Sequence, residues 1–307
     1  LTTKEKIWTS QVGAAPFGIT SANGKIYVTN WAGGIPDTND QNVAGVPWGS
    51  AKVDSLNGAT REGTVSVLDP KTGKVIKEIL VGLHPNDLVA SNDGKFIYVA
   101  NANSDNISSI STVTDEVTET ISVRLTGEKN PYWGDSPNGL AISHDDKTLY
   151  VANGMDNALA VVELGEKSCN IADDKVSETE GFIPTGAYPG AIAISDKNEL
   201  FVANIEAEGA HVPTQTEGSS KPEYNSHKML ASISVIPPPT KSELKAYTKK
   251  AENSQQFFRI ALNAKLPRKQ AQPVTVPERI GEPSIFKHVL YIIKENRTYD
   301  QVLGDMK

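Results

Sequence analysis

The residues with the clearest potential for chemistry are a carboxylate and an amide side by side near the end of the sequence, Glu295 and Asn296. They follow Val289 to Ile293, a continuous apolar run rich in β-branched residues, which is typical of a strand buried on both faces of a parallel sheet. Thr298 and Gln301 then have the spacing of a helix capping box, which predicts a strand followed by a helix. The pair is therefore expected at the carboxyl end of a buried strand, where open α/β sheets bind ligands.

The stretch from Glu295 to Asp300, Glu-Asn-Arg-Thr-Tyr-Asp, resembles the opening motif of the phosphoesterase branch of the alkaline phosphatase superfamily, which includes phospholipases C and acid phosphatases. The resemblance implies that Glu295 and Asn296 are ligands of an active-site divalent metal that polarises a phosphoryl group. In that family the Ser or Thr nucleophile and the remaining Asp and His ligands lie well downstream. The nucleophile is therefore not expected in this chain, which by itself is expected to be inactive.

Four segments of similar sequence determine the fold class. Each runs from a Pro through an apolar strand and a polar turn to a Tyr/Phe-Val-Thr/Ala-Asn tetrapeptide, with Pro-to-Asn distances of 14, 16, 16 and 15 residues. Third and fourth strands follow, as at Thr64 to Leu68 and Val75 to Val81. Four antiparallel strands repeated about every 50 residues predict an all-β fold, a β-propeller with four recognisable blades. The four segments are Pro16 to Asn30, Pro85 to Asn101, Pro137 to Asn153 and Pro189 to Asn204.

Over residues 1–236 these repeats resemble the YVTN family of β-propellers, which is found in surface-layer and other exported proteins. Such propellers usually have about seven blades, and residues Lys4 to Val12 look like the outermost strand of a preceding blade. We therefore expect part of a larger ring, completed by the remainder of its own polypeptide or by missing blades. The resemblance implies a periplasmic, cell-surface or secreted location.

The connections of such a blade divide between two faces of the disc. Those after strands two and four open on one face, here called the first face, and those after strands one and three open on the second face. Long insertions at 34–62 and 205–228 and a Trp-bearing connection at 128–136 belong to the first face, and loops of this length are usually functional or interfacial. This face is predicted to dock a domain or a ligand, with tolerated length variation as the alternative. Its candidate residues are Asn30, Trp31, Trp48, Asn101, Trp133, Asn153, Asn204 and His211.

Other polar residues point to structure more than to chemistry. The four tetrapeptide Asn residues are expected to bond neighbouring turn backbone, as Asn does readily. His84 and His144 lie in or beside repeat turns and are expected to be structural, whereas His211 and His227 share one insertion and could meet. The single Cys169 excludes an internal disulfide.

The pattern changes after the blades. Thr240 and Glu243 have capping-box spacing ahead of a polar helix that runs to Ser254, and the five prolines between Leu266 and Pro283 indicate an extended linker. The predicted domains are the propeller blades at 1–236, the helix and Pro-rich linker at 237–284, and the first strand and helix of a phosphoesterase domain at 285–307.

Composition restricts the partners. A formal net charge of −7 argues against a nucleic-acid partner, which a protein binds through a basic surface. No apolar run reaches the roughly 18 residues of a membrane helix, so no transmembrane segment is expected. The sequence is thus interpreted as the propeller and linker portion of an exported metal-dependent phosphoesterase that acts on a phosphoester substrate, with the propeller as a docking or substrate-access module that needs no cofactor. The alternative is a non-enzymatic surface or binding propeller.

Overall fold

The structure of the protein is a computed structural model that describes residues 5–46, 49–127, 134–165, 176–206, 214–215, 222–223 and 231–293. Within these residues the chain forms three four-stranded antiparallel sheets and one three-stranded sheet, which are called blades 1 to 4 in chain order. Each blade begins at the Pro of one sequence repeat or within two residues of it. The predicted propeller blades are therefore confirmed.

The strands follow the predicted order in every blade, with neighbours in sequence paired as neighbours in the sheet. Blade 1 contains β1 (Pro16–Ala22), β2 (Lys25–Asn30), β5 (Gly63–Leu68) and β6 (Val75–Val81), with the small hairpin β3 (Val43–Val46) and β4 (Gly49–Lys52) inserted after β2. Blade 2 contains β7 (Pro85–Ala90), β8 (Phe96–Asn101), β9 (Asn106–Ser111) and β10 (Glu116–Ser122). Blade 3 contains β11 (Pro137–Ile142), β12 (Thr148–Asn153), β13 (Ala158–Glu163) and β14 (Glu178–Pro184).

Blade 4 contains β15 (Ala187–Ile194), β16 (Leu200–Glu206) and β19 (Ser232–Ile236), with the short pair β17 (Thr214–Gln215) and β18 (Pro222–Glu223) between β16 and β19. The innermost strands β1, β7, β11 and β15 pack against one another from blade to blade. This side-by-side arrangement of blades around their inner strands is that of a propeller.

The hydrophobic core is divided among the interfaces between blades. Tyr27 and Val65 of blade 1 pack with Leu88 and Val99 of blade 2 in one cluster, and equivalent clusters join blade 2 to blade 3 and blade 3 to blade 4. Because a strand projects alternate side chains to opposite faces, one blade contributes to two such clusters. Most of the buried apolar side chains of the blades thus lie between neighbouring blades.

The second face is closed by short turns that bond from one blade to the next. Asn92, in the β7–β8 turn, donates from its backbone N–H and its side-chain amide to the Asp146 carboxylate in the β11–β12 turn, at 2.8 and 2.7 Å. Asn23 donates to the Thr112 carbonyl at 3.2 Å. His144 lies 3.1 Å from the Ser195 carbonyl through Nε2, which is the structural position expected for it.

The first described residues differ from the expectation. Residues 5–12 form no strand, although an outermost strand of a preceding blade was predicted at Lys4 to Val12. The segment nevertheless lies against blade 1, where Trp8 donates from Nε1 to the carbonyl of Pro70 at 3.0 Å. A strand needs a hydrogen-bonded neighbour, and within the described residues no strand pairs with this segment.

The helix after the blades is confirmed. α1 (Lys241–Ser254) has Thr240 as its N-cap residue. The Thr240 side chain accepts from the Glu243 N–H, and the Glu243 carboxylate accepts from the Thr240 N–H, which together form a capping box. α1 packs on β14, where the Phe182 N–H donates to Thr248 Oγ1 at 2.8 Å. A second helix, α2 (Phe257–Asn263), follows it. No helix among the residues described is long and apolar enough to cross a membrane.

The Pro-rich segment contains no helix or strand, as predicted, but it is held by Arg268. This guanidinium makes two hydrogen bonds to the Glu282 carboxylate, at 2.7 and 2.8 Å. The predicted buried strand at Val289 to Ile293 is wrong for this structure, because these residues form no strand and their side chains are 74–85% exposed. Among the residues described, no strand of any sheet pairs with this run.

Candidate functional site

The insertion after β2 is a built part of the first face. Lys52 lies 3.1 Å from the Glu62 carboxylate and 3.6 Å from that of Asp40, and Arg61 also pairs with Asp40 at 3.2 Å. A hydrogen bond from the Asp37 backbone lowers the pKa of Asp40, and the charges of Lys52 and Arg61 lower it further. These contacts tie separate parts of the insertion to one another.

An aromatic pair joins this insertion to blade 2. The rings of Trp31 and His84 stack with centroids 3.7 Å apart and 16° between their planes, and His84 Nε2 lies 2.6 Å from Thr60 Oγ1. His84 has a φ of 53°, a left-handed conformation that turns its ring toward Trp31. Burial lowers the pKa of His84, so the imidazole is neutral near pH 7. The sequence prediction that Trp31 belongs to the first face is consistent with this position, and His84 is structural as expected.

A cavity of about 740 Å³ opens beside Trp31. Its walls come from the segment 10–17, from Trp31 and Ile35, and from Gly49 and Ser50 of the β3–β4 hairpin. Phe17 and Ile35 are 68% and 48% exposed there. The cavity offers apolar walls with few polar groups, which is the chemistry of a site for an apolar side chain or small apolar ligand.

Three carboxylates meet under the connection between blades 2 and 3. Asp105, Asp135 and Asp156 are 1%, 4% and 9% exposed. Asp105 accepts hydrogen bonds from the backbone N–H groups of Gly134, Asp135 and Ser136 at 2.7, 2.9 and 3.1 Å. Asp135 in turn accepts from the Leu125 N–H at 2.8 Å. The cluster therefore fixes both ends of the connection that carries Tyr132 and Trp133.

The protonation of the cluster follows from its burial. Burial first, then the charge of Asp135 and a hydrogen bond to it, raise the pKa of Asp156 to about 9. Asp156 is thus the protonated partner and donates to Asp135, while Asn153 donates to Asp156 at 2.9 Å. Within the part of the chain described, no group of three or more His, Cys, Asp or Glu side chains could hold a metal ion. The cluster is a loop anchor, and sequence reasoning missed it because its members come from three separate segments.

The tetrapeptide asparagines do not line the exposed face, which corrects their assignment as candidate binding residues. All four are 0% exposed, and their amides mostly bond side chains of the third strand, not turn backbone. Asn30 donates to Thr64 and Ser66 at 3.0 and 2.8 Å, and Asn204 bonds Ser232 and Ser234 in the same way. Asn101 bonds Asn106 and Ser108, and Asn153 bonds the Val123 carbonyl and Asp156.

Glycine lets three of these asparagines fit. A Cβ built on Gly13, Gly82 or Gly186, each three residues before a repeat Pro, would lie 2.6 to 2.8 Å from a side-chain carbon of the Asn at the end of strand two in that repeat. The remaining predicted site residues lie outside the described residues: Trp48, Trp133, His211, Glu295 and Asn296.

Sheets of this strand order, packed face to face through their inner strands, define the class of the chain as an all-β propeller. No protein-family model matches the sequence, and no curated protein matches it. Among solved structures it is similar to the hydrazine synthase of Kuenenia stuttgartiensis, with 24% identity over 66% of this chain and 45% of that chain, at a TM-score of 0.43.

Two further structures are similar at lower identity. A putative 6-phosphogluconolactonase from Bacteroides uniformis has 16% identity over 73% of this chain and 72% of that chain, at a TM-score of 0.42. The RRP9 WD40 repeats have 13% identity over 64% of this chain and 47% of that chain, at a TM-score of 0.39. This chain spans less than half of the hydrazine synthase and RRP9 chains. The assignment of the chain as a propeller follows from its own strand order.

Proposed function

We propose that the chain is a YVTN-type propeller that serves as the docking or substrate-access module of an exported, metal-dependent phosphoesterase. The observation that carries the docking role is the asymmetry of the two faces. The second face consists of short turns bonded blade to blade, whereas the first face carries insertions held in place by the Lys52 and Asp105 contacts. Anchored loops of this kind suit a face that docks a partner, because a face without a partner would gain nothing from ordering its loops.

The catalytic part of the proposal rests on the residues after the linker. The run from Val289 to Ile293 exposes five apolar side chains in a row, and in the proposed protein these enter the sheet of the catalytic domain. Glu295 and Asn296, which follow this run in the sequence, would supply two oxygen ligands to the divalent metal. A bound metal would polarise the phosphoryl group, and Glu295 and Asn296 would hold that metal.

The test uses the full-length product of the gene. Hydrolysis of a chromogenic phosphomonoester and phosphodiester is measured with added Mg²⁺, Mn²⁺, Ca²⁺ or Zn²⁺. Glu295→Gln should reduce kcat/KM at least about 100-fold, since it removes an anionic ligand. Glu278→Gln, an exposed linker carboxylate, is the matched control and should leave activity unchanged. Absence of metal-dependent hydrolysis in the wild-type protein, or equal activity of Glu295→Gln, contradicts the catalytic proposal.

The runner-up is a non-enzymatic binding propeller, and the cavity beside Trp31 favours it. An apolar cavity of about 740 Å³ is large enough for a drug-sized ligand or for several apolar side chains of a peptide. If this reading is right, the protein has no phosphoesterase activity, and Ile35→Asp abolishes binding of an apolar fluorescent probe at the cavity. Leu56→Asp, on the same insertion and 94% exposed, should leave probe binding unchanged.

A further inference from the structure

The turns of the second face leave a pocket of about 300 Å³ between blades 3 and 4, here called the blade 3–4 pocket. Tyr150 and Ile194 in its walls also pack on the core cluster that these two blades share. Both blades are present in the chain, so the pocket is a gap inside a formed interface. Its lining includes Asp145, Thr148, Tyr150, Ile194, Asn198 and Pro238.

The same place between blades 1 and 2 is filled by an ion pair. Lys25, the first residue of β2, extends its ammonium group to the Asp115 carboxylate at 2.6 Å and to the Thr112 carbonyl at 2.9 Å. Tyr27, two residues further along the strand, donates to the same carboxylate at 2.7 Å. The side chains of Lys25 and Asp115 are only 22% and 12% exposed. The repeat thus shows that this place accommodates a primary ammonium group and its aliphatic stem.

Neither member of that ion pair has an equivalent between blades 3 and 4. Thr148 is the first residue of β12 and stands where Lys25 stands in blade 1, and Tyr150 stands where Tyr27 stands. After β19 the chain continues through three prolines into α1, so within the described residues blade 4 has no turn that supplies a carboxylate at the place of Asp115. The hydroxyl of Tyr150 makes no hydrogen bond in the part of the chain that the structure describes.

The carboxylate of the blade 3–4 pocket is Asp145, from the β11–β12 turn. The Ser143 hydroxyl donates to its Oδ1 at 2.6 Å and the Lys147 N–H to the same oxygen at 3.2 Å, which leaves Oδ2 without a donor among the described residues. Asp93 stands at this position in blade 2, where it forms an ion pair with Lys95 at 2.9 Å. Lys147 stands at the position of Lys95, yet Asp145 has no ion pair with any described residue. One carboxylate oxygen is therefore available to a ligand.

The charge of the pocket favours a cation. The hydrogen bond from Ser143 lowers the pKa of Asp145, so this carboxylate is ionised near pH 7. Burial first, and then the charge of Asp145, raise the pKa of Tyr150. The Tyr150 hydroxyl is thus neutral and can accept a hydrogen bond from a ligand. An anionic ligand would meet the Asp145 charge without a cation to offset it.

The shape of the ligand follows from the remaining walls. Ile194 and Pro238 offer apolar surface for an alkyl stem, as a lysine side chain requires, and the Asn198 amide oxygen is a further acceptor. A guanidinium group fits less well, because its fork bonds both oxygens of a carboxylate, and Oδ1 of Asp145 already has two donors.

We propose that the blade 3–4 pocket binds a primary ammonium group on an aliphatic stem, with Asp145 as the counter-ion and Tyr150 as a hydrogen-bonding partner. The ligand takes the place that Lys25 fills from within the chain between blades 1 and 2. A free alkylamine and a lysine side chain of a partner protein carry this same group. The site is independent of the proposed phosphoesterase activity, since it lies on the second face.

Binding is measured by NMR on the full chain with three probes. These are n-butylammonium, Nα-acetyl-lysine methylamide as the lysine side chain, and 1-butanol as an uncharged match. The Ile194 methyl signals, assigned with Ile194→Val, should shift and saturate with both ammonium probes at concentrations at least about 5-fold lower than with 1-butanol. Tighter binding of the lysine derivative assigns the site to a lysine side chain, and tighter binding of n-butylammonium assigns it to a free amine. Equal binding of 1-butanol, or no binding of either ammonium probe, overturns the proposal.

The counter-ion is tested by Asp145→Asn, which keeps an acceptor for Ser143 but removes the charge. This variant should bind n-butylammonium at least about 5-fold more weakly than the wild type and 1-butanol equally. Asp93→Asn is the matched control, because Asp93 has the same turn position in blade 2 and already pairs with Lys95. It should bind both probes as the wild type does. Unchanged n-butylammonium binding in Asp145→Asn overturns the role of Asp145.

Thr148→Lys tests whether the repeat predicts the ligand correctly. This substitution restores the residue that blade 1 has at this position, so its own ammonium group should fill the pocket and abolish binding of n-butylammonium. Thr148→Val, which adds no stem and no charge, should still bind the probe, and circular dichroism should show both variants folded. If Thr148→Lys binds n-butylammonium as the wild type does, the probe does not occupy the place equivalent to that of Lys25, and the proposal fails.

Discussion

The indole of Trp31 lies over the imidazole of His84, with 3.7 Å between ring centroids, and thereby couples the insertion of blade 1 to the entry of blade 2. The Trp31 N–H donates to the Ala15 carbonyl at 2.9 Å, and the His84 carbonyl accepts from the Ala102 N–H at 3.0 Å. Both rings are thus fixed through the backbone on which they stand. The shape of the first face follows from such anchors more than from regular structure in the insertions.

This pair makes stability depend on pH. Because burial lowers the pKa of His84, the unfolded chain takes up a proton more readily than the folded chain as the pH falls below the ordinary value of about 6.5. The His84 contribution to stability is complete above that value and is lost as the pH falls through the folded pKa. Denaturant unfolding at about pH 7.5 and about pH 5.5 should show a smaller pH effect in His84→Gln than in the wild type.

His144→Gln is the control for that measurement, because His144 also bonds across blades but on the exposed second face. The wild type and His144→Gln should both lose more free energy of unfolding between the two pH values than His84→Gln does. If His84→Gln loses as much as they do, the stacked imidazole is not the group that titrates.

The blades could be predicted from the sequence because their information is local. The interval from Pro16 to Asn30 contains a complete hairpin, and its recurrence fixes the strand order without knowledge of any distant contact. The partners of Asn30 could not be predicted in the same way, since Thr64 and Ser66 lie beyond an insertion of irregular length. The sequence therefore predicts that Asn30 bonds turn backbone, whereas in the structure its amide bonds side chains of strand three.

A hydroxyl between blades 1 and 2 offers a second test. Tyr27 donates to the Asp115 carboxylate at 2.7 Å, and Lys25 pairs with the same carboxylate at 2.6 Å. Burial and the hydrogen bond to Asp115 raise the pKa of Tyr27 above its ordinary value. Tyr27→Phe should lower the free energy of unfolding by about 1.5–3 kcal/mol, the range for a hydrogen bond to a charged group.

Tyr150→Phe is the matched control, because Tyr150 stands at the same position of blade 3 and no hydrogen bond of its hydroxyl is seen within the described residues. It should cost less than about 0.5 kcal/mol in the same urea titration. Equal losses for the two variants would mean that ring packing, not the bond to Asp115, accounts for the Tyr27 effect.

Glycine at the entry to each blade provides a third test. A Cβ on Gly82 would lie 2.7 Å from the Cβ and Cγ of Asn101, which is fully buried and cannot withdraw. Gly82→Ala should therefore destabilise the protein by about 1–3 kcal/mol, as overpacking does. Gly45→Ala, where a Cβ meets nothing within 4 Å, should be neutral or slightly stabilising. Thermal unfolding of both variants decides between steric conflict and a general intolerance of Ala.

The run from Val289 to Ile293 shows where a local pattern predicts more structure than is formed. Five apolar residues predict a buried central strand, but such a strand needs a partner strand on each side. The pattern of the run does not show whether those partners are present. The carboxylate cluster was missed for a related reason, since Asp105, Asp135 and Asp156 meet only after three segments have folded together. The parts of the site that the repeat does not predict are those formed by contacts between distant segments.

The cluster predicts a pH dependence of the opposite sign to that of His84. Asp156 has a folded pKa raised to about 9 by burial and by Asp135, against about 3.9 for an unfolded Asp. Between these values the folded chain holds a proton that the unfolded chain has released, so the free energy of unfolding falls as the pH rises.

Asp156→Asn mimics the protonated carboxyl, because its amide can donate to Asp135 and its oxygen can accept from Asn153. Relative to the wild type, the variant should be more stable at about pH 8 and should show a shallower decline between about pH 5 and about pH 8. Asp196→Asn, in an exposed turn, is the control and should show a steeper decline than Asp156→Asn. Parallel slopes for the wild type and Asp156→Asn would show that Asp156 is ionised in the folded protein and does not donate to Asp135.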